Sequence, residues 1–91
     1  SELPTEFELA QNYPNPFNPA TKIEFSIPKA GSYNLTVYNI LGQEVRTLVN
    51  GEFQPGKYTV DFNASDLASG IYIYRFIGQN VTFTKKMMLI K

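Results

Sequence analysis

The chain has 91 residues, the size of one domain, and its eight acidic and eight basic residues leave no net charge. Without a basic field it has no means to attract nucleic acid or an anionic membrane. The absence of His and Cys removes disulfides and two common catalytic and metal-ligating side chains, and no apolar run reaches the roughly 18 residues of a membrane-spanning helix. We therefore expect no enzyme activity, cofactor, metal, nucleic-acid partner or transmembrane segment.

Alternation of apolar and polar residues with a period of two runs through the chain and predicts about seven strands. They are expected over residues 7–11, 21–27, 32–39, 44–49, 57–63, 71–77 and 81–90. This spacing is typical of an all-β fold, a seven-stranded antiparallel β-sandwich of immunoglobulin-like or fibronectin-type-III-like form.

Turn residues separate the predicted strands. Asn50-Gly51 and Gln54-Pro55-Gly56 each predict a turn, and Gly42 is expected to supply a positive φ between two strands. Residues 64–70 are expected to form a corner with one helical turn.

The alternating positions also predict a core between two sheets. The strand over 71–77 is expected to be central, because both of its faces are apolar. The predicted core residues are Ile23, Phe25, Leu35, Val37, Val60, Phe62, Ile71 and Ile73.

Residues 13–19, Tyr-Pro-Asn-Pro-Phe-Asn-Pro, form a segment that we call the Pro/Asn segment. Because proline has no N–H and restricts φ, this segment is expected to be an ordered, stiff crossing without ladder hydrogen bonds. Tyr13 and Phe17 are the expected apolar anchors, and the Asn side chains are expected to cap backbone groups. A simpler interpretation is that the segment only covers a sheet edge.

Residues 85–91 form a basic and apolar stretch at the end of the last predicted strand. Alternation places Lys85, Met87 and Leu89 on one face, with Lys86 and Met88 on the other. Two interpretations stay open: an edge strand whose lysines prevent aggregation, or a strand that a receptor reads by strand addition.

Two other patterns have a structural and a functional interpretation. Tyr72, Tyr74 and Phe76 alternate like an aromatic platform for a sugar, but such a stripe is more often core. Residues 61–66 place oxygen atoms like the start of a calcium loop, yet the required Gly and Glu are absent. A corner capped by side chains is the expected structure there.

Five stretches together carry a resemblance to a known family: residues 9–21, 37–45, 55–60, 68–76 and 85–91. In this order they resemble the type A C-terminal sorting domains of type IX secretion cargo proteins in Bacteroidetes. The chain departs from the family at Phe62, where relatives often carry Trp. A weaker resemblance links it to the immunoglobulin-like domain of flagellar hook-capping proteins.

The resemblance implies a non-catalytic sorting domain over residues 9–91, with residues 1–8 as a linker from a preceding cargo domain. Its partners would be the type IX outer-membrane translocon, a shuttle and a gingipain-like sortase that cleaves near residues 3–8. The cargo would cross the periplasm and reach the cell surface or the medium. The alternative function is a carbohydrate-binding or structural accessory module, and self-association through the last strand stays open.

The resemblance also implies two sets of site residues. Recognition by the translocon and sortase would involve Lys85, Lys86, Met87, Met88, Leu89, Ile90 and Lys91. The structural motif residues would be Asn12, Tyr13, Pro14, Asn15, Pro16, Phe17, Asn18, Pro19, Gly42, Pro55, Gly56, Ser69, Gly70 and Tyr72.

Overall fold

Seven strands in two antiparallel sheets make up the fold in the computed structural model, which describes residues 3–91. The strands are β1 (Glu8–Leu9), β2 (Ala20–Ile27), β3 (Gly31–Tyr38), β4 (Glu44–Phe53), β5 (Gly56–Asn63), β6 (Gly70–Gly78) and β7 (Val81–Leu89). Their order is β1-β2-β5 in one sheet and β4-β3-β6-β7 in the other. Residues 3–91 contain no helix.

The predicted all-β, seven-stranded antiparallel sandwich is confirmed, whereas its immunoglobulin-like or fibronectin-type-III-like form stays a prediction. Ser1 and Glu2 of the predicted linker lie outside the described residues.

The core combines side chains from both sheets. Phe25 on β2 packs against Phe76 on β6, with ring centroids 4.8 Å apart. Five predicted core residues are at most 1% exposed, which confirms their burial: Ile23, Phe25, Leu35, Val37 and Phe62. Val60 is only partly buried and packs against this cluster.

Strand β6 buries the face opposite to the one predicted. Tyr72, Tyr74 and Phe76 point into the core, while Ile71 is 41% exposed and Ile73 is half-buried. The predicted burial of Ile71 and Ile73 is therefore wrong. The predicted central position is correct, because β6 lies between β3 and β7.

The aromatic face of β6 is the buried one because it offers more apolar area and because its hydroxyl groups form hydrogen bonds. The Tyr72 hydroxyl donates to the carbonyl of Ala68 at 2.7 Å, and the Tyr74 hydroxyl donates to the carbonyl of Ala10 at 2.7 Å. Burial of these rings thus leaves no hydroxyl without a hydrogen bond.

The predicted turn at Asn50-Gly51 is wrong, because both residues lie inside β4. Asn50 pairs with Asn34 and Gly51 with Tyr33, so the ladder with β3 continues to the end of the strand. A local turn preference is outweighed here by hydrogen bonds to a neighbouring strand. The chain then passes to the other sheet at Gln54 and Pro55, where the second turn was predicted.

The corner before β6 is a turn, and the predicted helical turn is wrong. The amide of Leu67 donates to the carbonyl of Ala64 at 3.0 Å, and the amide of Ser65 donates to the side chain of Asn63 at 2.9 Å. Such side-chain hydrogen bonds compete with helix formation.

Three strands begin with the triplet Gly-x-Tyr. In each triplet the tyrosine hydroxyl donates to the carbonyl four residues earlier. The three bonds are Tyr33 to Lys29 (2.8 Å), Tyr58 to Gln54 (2.6 Å) and Tyr72 to Ala68 (2.7 Å). Gly70 has a φ of 153°, a value that other residues rarely adopt. The motif residues Pro55, Gly56, Ser69 and Gly70 therefore lie where β5 and β6 begin.

Candidate functional site

Strand β7 is an edge strand of the four-stranded sheet, and its two faces differ. It pairs with β6, with Met88 opposite Ile71 and Lys86 opposite Ile73. Met87 is 2% exposed and lies in the core, as does Leu89. Lys85 is half-buried on the inner face, whereas Lys86, Met88, Ile90 and Lys91 are exposed. The outer side chains are therefore the accessible part of the predicted recognition set.

The Pro/Asn segment covers the free edge of β7 at the C-terminal end of the strand. The amide of Phe17 donates to the carbonyl of Met88 at 3.0 Å, and the amide of Ile90 donates to the carbonyl of Phe17 at 2.9 Å. The side chain of Asn15 accepts from the amide of Met88 at 3.0 Å. These three bonds occupy the groups that an added strand would use.

Gln11 extends this closure along the free edge, because its Nε2 donates to the carbonyl of Lys86 at 2.6 Å. On the opposite side of the chain, the amide of Lys91 donates to the hydroxyl of Ser69, just before β6 begins, at 3.1 Å. The hydrogen bonds along residues 86–91 therefore reach three different parts of the fold.

The prediction that the Pro/Asn segment makes no ladder hydrogen bonds is wrong. Tyr13 exchanges two backbone bonds with Lys22, at 3.0 and 3.1 Å, and Phe17 forms a parallel bridge with Leu89. Both residues retain the N–H that the intervening prolines lack. The three X-Pro bonds of the segment are cis.

The anchors of the segment also differ from the prediction. Phe17 is an anchor as predicted, because it is 2% exposed and packs against Phe62, but Tyr13 is 81% exposed and anchors nothing with its ring. The remaining motif residues Pro14, Asn15, Pro16 and Asn18 are exposed, and Pro19 is half-buried.

Asn12 provides the second anchor. Its Nδ2 donates to the hydroxyl of Thr21 and to the carbonyl of Pro14, both at 3.1 Å, and its amide donates to the Tyr74 hydroxyl at 2.9 Å. Asn12 is buried, so these bonds replace the hydrogen bonds to water that it would make in the unfolded chain.

Another motif residue, Gly42, has the predicted positive φ, at 85°.

Tyr74 makes the stability of the domain depend on pH. Burial raises the pKa of its hydroxyl from 10.0 to about 12. Between these values the unfolded chain loses the proton while the folded chain keeps it, so stability falls as the pH rises. From pH 8 to pH 11 we expect the free energy of unfolding to fall by about 1.4 kcal/mol through this group.

The measurement is urea unfolding of the chain and of Tyr74→Phe at both pH values. All other ionisable groups are common to the two proteins, so the difference between the two pH dependences isolates Tyr74. Equal pH dependences would contradict this role, although Tyr74→Phe also loses two hydrogen bonds at every pH.

None of the three lysines in residues 85–91 forms an ion pair with a carboxylate of residues 3–91. Two ion pairs join residues within 3–91: Lys22 with Asp61 at 2.7 Å, and Arg46 with Asp66 at 2.8 Å. The hydrogen bond from Arg46 is the main reason why the pKa of Asp66 is lowered. Lys91 donates to the carbonyl of Ser65, and Lys86 belongs to neither pair.

The geometry also bears on the two other predicted patterns. Tyr74 and Phe76 are fully buried and Tyr72 is nearly so, which leaves this stripe no ring face for a sugar. In the stretch compared with a calcium loop, Asp61 and Asp66 each contact a basic side chain. Residues 3–91 form no helix long and apolar enough to cross a membrane.

Comparison with known protein families gives a match that covers most of the chain. The family model described as the secretion system C-terminal sorting domain matches residues 11–91. No curated protein matches the chain.

Proposed function

Because the chain belongs to the secretion system C-terminal sorting domain family, we propose that the exposed side chains of residues 85–91 carry the signal that the type IX machinery reads. The domain itself is a sorting signal for export to the cell surface or the medium. We further propose that the cargo crosses the periplasm and that its partners are an outer-membrane translocon and a shuttle.

The closed edge of β7 is the observation that carries this proposal. Phe17 and Asn15 occupy the outward backbone groups of Met88, so strand addition there would first have to displace the Pro/Asn segment. The side chains of Lys86 and Met88 point outward and need no such rearrangement. A receptor that reads side chains therefore fits the geometry better than one that adds a strand along residues 86–90.

Removal of the domain would take place before the fold begins. Leu3, Thr5 and Glu6 are exposed, whereas Phe7 packs against Tyr33 and Glu8 lies in β1. A peptidase needs an extended, accessible chain. We place the cleavage by a gingipain-like sortase within residues 3–6, a part of the predicted linker over residues 1–8.

Export of a reporter tests the function. A fluorescent protein with a signal peptide is fused in front of the full 91-residue chain and produced in a bacterium with a type IX system. We expect fluorescence at the cell surface, and retention in the periplasm in a strain without the translocon. Equal location of the reporter with and without the domain would contradict the function.

The role of the lysines needs a variant that still folds. Deleting residues 85–91 would remove Met87 and Leu89 from the core and would therefore mix unfolding with loss of the signal. Replacing Lys85, Lys86 and Lys91 by Ser is gentler, because Lys86 and Lys91 are exposed, Lys85 is half-buried, and none of the three belongs to an ion pair of residues 3–91. Exposed charges contribute at most about 1 kcal/mol each.

We expect this triple variant to melt within a few degrees of the parent and to be exported less. Lys29→Ser with Lys57→Ser removes exposed cations elsewhere and should be exported normally. Normal export of the triple variant would remove the role of these ammonium groups.

A further inference from the structure

An exposed apolar patch lies at one end of the four-stranded sheet, and much of it falls outside residues 85–91. Five of the eight large apolar side chains that residues 3–91 leave exposed are found there. We call this set the end patch: Ile40, Leu41, Ile71, Met88 and Ile90. Clusters of this kind mark interaction sites far more often than isolated exposed residues do.

The strand register brings the members of the end patch together. Met88 on β7 lies directly opposite Ile71 on β6, on the outer face of the sheet. Tyr38, the last residue of β3, lies opposite Ile73, so the hairpin that follows projects from the same end. Residues distant in sequence are thus brought to the same end of one sheet.

The hairpin tip between β3 and β4 is held rigidly although it is apolar. The Asn39 side chain accepts from the amides of Leu41 and Gln43 at 2.9 and 3.0 Å, and the Gly42 amide donates to the Asn39 carbonyl. Ile40 and Leu41 are nevertheless 71% and 79% exposed. A pre-ordered apolar tip loses little conformational entropy on binding, which favours association.

The charges next to the end patch indicate the partner. Lys86 lies two residues before Met88 on the outer face of β7, opposite Ile73 of β6, and no carboxylate of residues 3–91 lies within ion-pair distance of it. On the same face, the guanidinium of Arg75 lies over the ring of Tyr38, with its Cζ atom 5.3 Å from the ring centroid. A partner with an apolar pocket flanked by carboxylates would complement this surface.

We propose that the end patch is a docking surface for a protein component of the secretion machinery, with the Ile40-Leu41 tip inserted into an apolar pocket and Lys86 facing acidic residues. This inference rests on the proposed function and extends it from β7 to a hairpin of the same sheet. A membrane is a poorer occupant, because adsorption to anionic lipid needs several clustered cations.

The test uses the reporter fusion with single substitutions in the full chain. Leu41→Ser and Ile71→Ser alter the end patch, and Ile77→Ser is the matched control. Ile77 is 39% exposed on the same strand and face as Ile71, but lies about 20 Å further along β6. We expect Leu41→Ser and Ile71→Ser each to lower surface delivery on the order of tenfold, and Ile77→Ser to be delivered normally.

Charge reversal tests the acidic character of the partner. Lys86→Glu is expected to reduce delivery at least as strongly as Leu41→Ser, whereas Lys57→Glu, on an exposed position of the other sheet, should leave delivery unchanged. Urea unfolding of the purified chains serves as the folding control. Leu41 packs against little of the fold, so its variant remains informative even if Ile71→Ser is unstable.

The outcomes separate this inference from the function on which it rests. If the parent is delivered and the Leu41→Ser and Lys86→Glu variants are delivered equally well, the docking surface is wrong and the sorting function stands. If the parent itself is not delivered, both are wrong. Sedimentation that shows a dimer lost in Leu41→Ser, or Leu41-dependent binding to phosphatidylglycerol vesicles, would overturn the inference in favour of a second copy or a membrane.

Discussion

Replacing Phe76 by Ala is expected to lower the free energy of unfolding by about 3–5 kcal/mol. Phe76 is fully buried and packs against Phe25 and Tyr33, with ring centroids 4.8 and 5.5 Å away. The substitution removes these contacts from both sheets and leaves a cavity. Because small domains are stable by only about 5–15 kcal/mol, the variant is expected to be marginal at room temperature.

Urea unfolding gives the measurement, and Ile77→Ala is the control. Ile77 follows Phe76 but points to the opposite, solvated face, so its truncation should cost less than about 1 kcal/mol. If Phe76→Ala does not fold, Phe76→Leu keeps the comparison measurable. A larger loss for Ile77→Ala than for either Phe76 variant would mean that the faces of β6 are assigned wrongly.

Replacing Phe17 by Ala is expected to release the edge of β7 as well as to destabilise the domain. Phe17 is buried against Phe62, so its truncation should cost about 3–5 kcal/mol. Its backbone also holds the carbonyl of Met88 and the amide of Ile90. Without the ring, the Pro/Asn segment loses the anchor that keeps these bonds in place.

Amide hydrogen exchange distinguishes the two effects. In Phe17→Ala the amides of Met88 and Ile90 should lose more protection than the amide of Tyr72 in the neighbouring strand, because local opening adds to global unfolding. Asn15→Ala is the milder companion. It removes one hydrogen bond to Met88 and should cost about 0.5–1.5 kcal/mol. A uniform loss of protection in Phe17→Ala would contradict the view that Phe17 closes the edge.

The strands could be predicted from the sequence because successive side chains of a strand point to opposite faces. Along β2 and β3 that alternation separates apolar from polar residues, and Ile23, Phe25, Leu35 and Val37 were placed correctly in the core. The positive φ of Gly42 was equally predictable, since a tight turn there needs a residue without a side chain.

In strand β6 the alternation of side chains does not predict which face is buried. Both of its faces are apolar, so alternation cannot say whether Tyr74 or Ile73 points inward. The choice depends on partners elsewhere in the chain: Ala10 and Asn12 bond the Tyr74 hydroxyl. The repeated Gly-x-Tyr triplet is a sequence signal that could have identified Tyr33, Tyr58 and Tyr72 as residues tied to the backbone.

The sequence by itself determined the all-β class, the central position of β6 and the residues that mark the family, because these depend on local residue order. Only the tertiary structure decided which side of the last strand is accessible. Phe17 lies about 70 residues before Met88, yet its backbone bonds that strand, and the Ile40-Leu41 tip shares a sheet end with Ile71. Such surfaces arise from strand register and long-range hydrogen bonds. These join residues that are far apart in the sequence, so the local residue pattern does not show that they meet.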